Sequence, residues 1–211
     1  MSAPFQVVNI YTESTPNPET MKFVTNRLLS GEVLNFTSVQ EASDSPLAQR
    51  LFDFPFVKAI FISQNYITIT KGDDEDWDEL IPVAKDYIKN YLESGLPIFE
   101  KKKVELEDQS DDQSPIALKI KDILRTYIQP AVEQDGGAIF FKHFEPTSGV
   151  VTVSLQGSCK GCPSSIITLK SGIENMLKRM IPEVTEVVSE GRWKFSFRKL
   201  LFKKSGLFLG S

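Results

Sequence analysis

Hydrophobic and polar positions follow two periods along this chain. "FQVVNIYTE" and "MKFVTN" read as strands, separated by "STPNPET", a Pro/Asn turn cluster. In "SDSPLAQRLFDF", Ser45 is a candidate N-cap with Pro46 at the first helical position. Leu47, Arg50, Leu51 and Phe54 then fall at near-helical spacing. "FVKAIFISQNYITITK" reads as a hairpin, with Ile67 and Ile69 alternating against Tyr66, Thr68 and Thr70 and with Ser63-Gln64-Asn65 as the turn. In "DWDELIPVAKDYIKNYLESGLP", Leu80, Val83, Ala84, Tyr87, Ile88 and Tyr91 keep the helical period until Gly95 and Pro97 stop it.

The period is lost over about 100–114, "EKKKVELEDQSDDQS", which is charged and has no aromatic residue. Such a stretch buries too little surface to offset its chain entropy, so a flexible acidic linker is expected. Beyond it, "SPIALKIKDILRTYIQPAVEQDGG" predicts a helix capped by Ser114, with Ile116, Ile120, Ile123 and Leu124 as its apolar stripe. "AIFFKHFEP" and "VVTVSLQG" predict two strands, Val151, Val153 and Leu155 facing one way and Thr152, Ser154 and Gln156 the other. "PSSIITLKSGIENMLKRMI" predicts a helix with Ile166, Leu169, Ile173, Met176, Leu177 and Met180 on one side, ended by Pro182. "VTEVVS" is a last short strand. No internal repeat emerges. The expected fold class is α+β: two small α/β-sandwich-like domains, at 1–99 and 115–188, with a tail over 189–211.

Composition changes this picture little. The chain has 211 residues, 41% of them apolar and 25% charged, an ordinary globular balance. No apolar run reaches the roughly 18 residues of a membrane span, and the start has neither a basic n-region nor an apolar h-region. The net charge of −4 is unevenly placed. Residues 189–211 hold six bases and one acid, +5, and the rest holds 18 bases and 27 acids, −9. An acidic body argues against nucleic-acid binding, which needs a basic footprint.

The chemistry is concentrated in "QGSCKGCPSSI". Cys159 and Cys162 are the two cysteines of the chain. The reading above places them between a strand and a helix N-terminus. Unpaired N–H groups and the helix dipole there favour thiolate over thiol. Gly157 and Gly161 let the backbone approach a bulky ligand, Lys160 adds positive charge, and Pro163 suits a first helical turn. Three readings share this spacing: an incidental pair, a thiol-disulfide oxidoreductase, and a half-site for zinc or an iron–sulfur cluster. A thioredoxin-like fold needs more strands after its motif than remain here. Metal and cluster sites usually take four ligands. A symmetric homodimer would bring the loop in twice and complete the set.

"EQDGGAIFF" and "LQGSCKGCPSSIITLKSGIENMLKRMIPEV" resemble the C-terminal domain of the NifU-like (Nfu-type) iron–sulfur scaffold proteins. "YTESTPNPETMKFV", "SPLAQRLF" and the hairpin after them resemble the N-terminal domain that accompanies it in many members. The resemblance covers about 1–188. It implies a scaffold, not an enzyme, that holds a [4Fe-4S] cluster between two protomers through Cys159 and Cys162 of each and passes it to apo-proteins. Two departures stand out. Ala138 follows "DGG" where the family usually has an acid, and "EGRWKFSFRKLLFKKSGLFLGS" matches nothing in the family pattern. An intact Met1 start favours the bacterial cytoplasm, with the mitochondrial matrix after processing as the alternative.

Other features weigh less. The basic, aromatic tail suggests contact with a membrane surface or a partner, but an added strand or a sequence accident is the plainer account. His143, the single histidine, is better read as a half-exposed strand residue than as a third ligand. "GDDEDWDEL" lacks the order of a calcium loop and suits a helix N-terminus. "STPNPET" serves equally as a turn or as a recognition loop.

Overall fold

A computed structural model describes residues 7–72, 75–100, 112–159 and 163–190, with no side-chain description over 163–168. The first sheet has five antiparallel strands: β1 (Ile10–Ser14), β2 (Thr20–Thr25), β3 (Ser30–Phe36), β4 (Val57–Gln64) and β5 (Tyr66–Lys71), in the order β1-β2-β5-β4-β3. Gln64 takes the left-handed turn position of the β4–β5 hairpin, φ 46°. Two helices cover one face, α1 (Pro46–Leu51) and α2 (Trp77–Glu93). The Ser45 side chain accepts from the Ala48 amide at 3.3 Å and donates to the Ile98 carbonyl at 2.7 Å, so the cap also anchors the end of this unit. Asp76 caps α2, accepting from the Asp78 amide at 3.0 Å, and Asp78 and Glu79 follow in the first turn. Phe23, Ile60, Ile62, Ile67 and Ile69 meet Leu47, Leu51, Ala84 and Ile88 in the core between sheet and helices.

The second sheet is β6 (Gly137–Glu145), β7 (Val150–Gly157) and β8 (Glu186–Ser189). β6 and β7 form an antiparallel hairpin, whereas β8 runs parallel to β7 after the crossover helix α5 (Pro163–Met180). Its core joins Ile120, Val132, Phe144, Val151, Val153, Ile173, Leu177 and Val187. Both sheets with their helices make the protein α+β.

Three sequence expectations change. The stretch over 115–134 is not one helix: α3 (Pro115–Ile123) and α4 (Gln129–Gln134) are separated by a π-helical turn over Leu124–Ile128. Pro130, at the start of α4, lacks the N–H that a regular helix needs and its ring crowds the preceding turn, which a π-turn relieves. Met180 is 44% exposed, outside the stripe in which Ile173 and Leu177 are buried. β3 is a strand that the polar and apolar pattern did not announce. It is an edge strand with a register shift between Ser30 and Leu34. The segments at 101–111 and 191–211, which include most of the expected linker and tail, lie outside the described residues.

All six residues of β2 are buried. One face of this strand meets the helices. The other carries Lys22 and Val24, beside Tyr66, Thr68 and Phe61 of the neighbouring strands, and it packs on the start of β6. Val24, Phe61, Tyr66 and Ala138 form a small apolar cluster there, flanked by Val33 and Phe140. The cysteine-bearing unit is therefore seated on the outer face of the first sheet.

Candidate functional site

Cys159 follows β7 by two residues and precedes α5, at the strand-to-helix turn read from the sequence. Lys160, Gly161 and Cys162 lie outside the described residues, and Pro163 is the first residue of α5. Gly157 closes β7 at φ +66°, a conformation that an L side chain adopts only under strain. A Cβ there would stand 2.6 Å from the Gly136 carbonyl oxygen, 2.9 Å from the Gly137 Cα and 3.0 Å from Phe61 Cγ. Gly137 has the same tightness from the other side. Its added Cβ would meet the Gln156 carbonyl oxygen at 2.6 Å and the Cys159 sulfur at 2.8 Å.

These glycines form a clasp in which the "DGG" turn and the cysteine loop touch backbone to backbone. The Ser158 amide donates to the Gly136 carbonyl at 3.3 Å, and the Ser158 hydroxyl donates to the Asp135 carbonyl. Burial raises the Asp135 carboxyl, partly opposed by the Lys22 charge. The clasp seats the Cys159 sulfur against Gly137, in the core of the second unit. Sequence reading found Gly157 but assigned no role at the sulfur to Gly136 and Gly137. The signal was the adjacent glycine pair after a helix, whose partner is a distant loop.

The thiol itself differs from expectation. Cys159 is 7% exposed. Burial pushes its thiol up to about 11, a contact to the Ser158 hydroxyl at 3.9 Å pulls it back, and the Asp135 charge pushes it further up. The shift is upward, against the lowering expected at a helix N-terminus, and desolvation of the thiolate is its largest cause. Among the described residues, no group of three or more His, Cys, Asp or Glu side chains could hold a metal ion. Of the two cysteines, Cys159 is the one that lies among the described residues. His143 stands well along β6, paired with Thr152, and its Nε2 lies 3.8 Å from a Glu145 carboxylate oxygen. The pair is exposed and sits away from the cysteine loop.

The "STPNPET" turn meets this loop directly. Asn17 orders its own turn, its side-chain oxygen accepting from the Glu19 amide at 3.1 Å. Its side-chain amide donates to the Ser158 carbonyl at 3.2 Å. Turn chemistry and contact with the cysteine loop coexist in one residue.

The geometry defines an α+β protein with a thiol seated at a glycine-lined strand-to-helix turn. Residues 10–95 match the family described as "Scaffold protein Nfu/NifU N terminal", and residues 120–188 match the "NifU-like domain". The chain belongs to this Nfu-type, NifU-like family. It is 41% identical over 186 residues to the mitochondrial NFU1 iron-sulfur cluster scaffold homolog of Homo sapiens, covering 87% of this chain and 72% of that protein. It is 40% identical over 185 residues to the mitochondrial NifU-like protein 4 of Arabidopsis thaliana, covering 86% of this chain and 65% of the relative. A solved NifU-like protein from Saccharomyces cerevisiae aligns with TM-score 0.42 at 23% identity, over 48% of this chain and 92% of that one.

Proposed function

We propose that this protein is a scaffold that carries an iron–sulfur cluster as cargo, held by Cys159 and Cys162, and delivers it to apo-proteins. The observation that carries the reading is the seat of Cys159, a glycine clasp that leads a sulfur to a strand-to-helix turn in a chain of the Nfu-type family. A relative 41% identical is named an iron-sulfur cluster scaffold. In the proposed assembly the cargo is a [4Fe-4S] cluster bridged across a homodimer, because two thiolates per chain make a four-sulfur set only when two chains meet. Gly157, Lys160, Gly161 and Pro163 support that loop. A shared cargo also couples holding to dimerisation, so release to an acceptor thiol and dissociation of the dimer go together. The role is binding and transfer, without turnover of a small substrate. The relatives from Homo sapiens and Arabidopsis thaliana are named as mitochondrial, which favours the mitochondrial alternative over the bacterial cytoplasm.

The test is anaerobic reconstitution of the full chain with a ferric salt, a thiol reductant and sulfide, followed by its visible spectrum, iron content and mass in solution. The reading expects a broad iron–sulfur absorption, about four irons per dimer for a [4Fe-4S] cluster, and a mass that doubles with the cargo. Cys159→Ser should lose both the colour and the doubling. A Cys159→Ser protein that still dimerised with a full cluster would refute the bridging. A colourless monomer with a Cys159–Cys162 disulfide of measurable potential would favour the thiol-disulfide oxidoreductase.

A further inference from the structure

The outer face of the first sheet is polar where a solvated strand face would be polar, yet it is buried. Asn17 and Thr68 are each 1% exposed and Lys22 is 7% exposed. Each points a donor at a backbone carbonyl of the second unit. Thr68 donates to Gly136 at 2.8 Å, Lys22 Nζ to Gln134 at 3.1 Å, and Asn17 to Ser158 at 3.2 Å. The Tyr66 hydroxyl reaches the Gly137 carbonyl at 3.5 Å. At the margin, the Gln64 amide donates to Glu133 at 3.3 Å. Four of the five acceptors are carbonyls of the "DGG" turn region or of the cysteine loop itself.

Those carbonyls are the clasp that seats Cys159. Phe61 stands against Gly157, and a Cβ on Gly136 would strike Thr68 Oγ1 at 2.8 Å. The first sheet therefore packs on the "DGG" turn and the end of β7, and its β1–β2 turn touches the cysteine loop at Ser158. Lys22 is held for this by the Glu13 carboxylate at 2.9 Å and by the Tyr66 ring, whose centroid lies 4.6 Å away.

We propose that this sheet face is an interaction surface whose partner is the chain's own cysteine loop, and that the docked sheet is a cover that must lift before the loop meets a second copy. The proposal rests on the carrier reading above. The contact is built to open. Its apolar part is the small group around Ala138, far less than the core of either unit, and the remainder is hydrogen bonds to carbonyls that water can replace. Because the cover is tethered, it competes at an effective concentration in the millimolar range, above that of a second free copy at ordinary protein concentrations. Sulfur bonds to a shared cargo add the free energy that reverses the preference.

The test uses the full chain with Thr68→Arg and, separately, Lys22→Glu, neither of which alters a cysteine. Circular dichroism checks folding, and X-ray scattering reports separation of the units. Two rates follow under anaerobic conditions: alkylation of Cys159 by iodoacetamide, mapped by mass spectrometry, and uptake of iron and sulfide. The cover predicts folded variants with a larger radius of gyration, alkylation of Cys159 about tenfold faster, equivalent to about 1.4 kcal/mol of lost docking, and faster uptake. Separated units with wild-type rates of both would overturn it, as would a wild-type chain whose units are already apart in solution. Faster alkylation in variants that, like the wild type, take up no iron and sulfide would keep the cover and sink the carrier.

Discussion

Replacing Gly157 by alanine tests the clasp at its tightest point. The left-handed backbone, φ +66°, costs an alanine about 1–2 kcal/mol. The new Cβ would also stand 2.6 Å from the Gly136 oxygen and 2.9 Å from the Gly137 Cα. Both neighbours are backbone, so the strand-to-helix turn has to move as a body. That movement strains the Ser158 amide bond to Gly136 and the Thr68 bond to the same carbonyl, each worth about 1 kcal/mol. The expected loss is about 3–4 kcal/mol, a large share of a typical stability. In thermal unfolding of the full chain by circular dichroism this is a midpoint lower by about 6–16 °C. Gly157→Asn separates the two causes: asparagine tolerates the left-handed region, so a loss nearly as large would come from crowding. Gly172→Ala, in α5, meets no described atom within 4 Å and should instead stabilise by about 0.5–1 kcal/mol. A Gly157→Ala protein that loses less than about 1 kcal/mol would show that the turn is not held in this form.

Two further predictions concern the frame of each unit. Burial raises the Glu174 carboxyl, but hydrogen bonds from Lys178 and from the Val187 amide at 3.1 Å, with the Lys178 and Lys170 charges, hold it below the usual range. A depressed carboxyl contributes stability above its unfolded pKa, near 4.3, and loses it as pH falls through the lower folded value. The urea midpoint of Glu174→Gln should therefore lie below wild type at neutral pH and converge on it in acid, and a gap independent of pH would refute the role. Ser45→Ala should cost about 1–2 kcal/mol, because it removes the α1 cap and leaves the Ile98 carbonyl without its donor; equal urea midpoints would show that neither bond matters.

Local signals carried much of the fold. Ser45-Pro46 and Ser114-Pro115 marked helix starts because capping is settled within four residues. The β4–β5 and β6–β7 hairpins were legible because alternation and turn residues lie side by side. β3 was not, since a half-exposed edge strand with a register shift keeps no clean alternation. At the site, Cys159 and Gly157 were legible as types in a motif. The seat was not, because Gly136 and Gly137 act on a loop some twenty residues away, and Asn17 on Ser158, 141 positions along the chain. Lys22 and Thr68 fitted a solvent-facing period, and nothing within their strands says that a second unit lies over them. Burial of the thiol likewise came from packing, which no local pattern announces.

The parallel pairing of β8 with β7 sets an order of events during synthesis. The β6–β7 hairpin closes a short loop and can form as soon as Gly157 has emerged. Val151 cannot meet Val187 until all of α5 has been made and laid back across the sheet. The cysteine loop joins these two stages. A nascent chain therefore presents the Cys159 thiol on a half-built unit before the helix behind it is anchored. Ribosome-bound intermediates cut between Cys162 and Glu186 should be the forms most readily alkylated at Cys159, and protection of that thiol should arrive in one step when β8 docks.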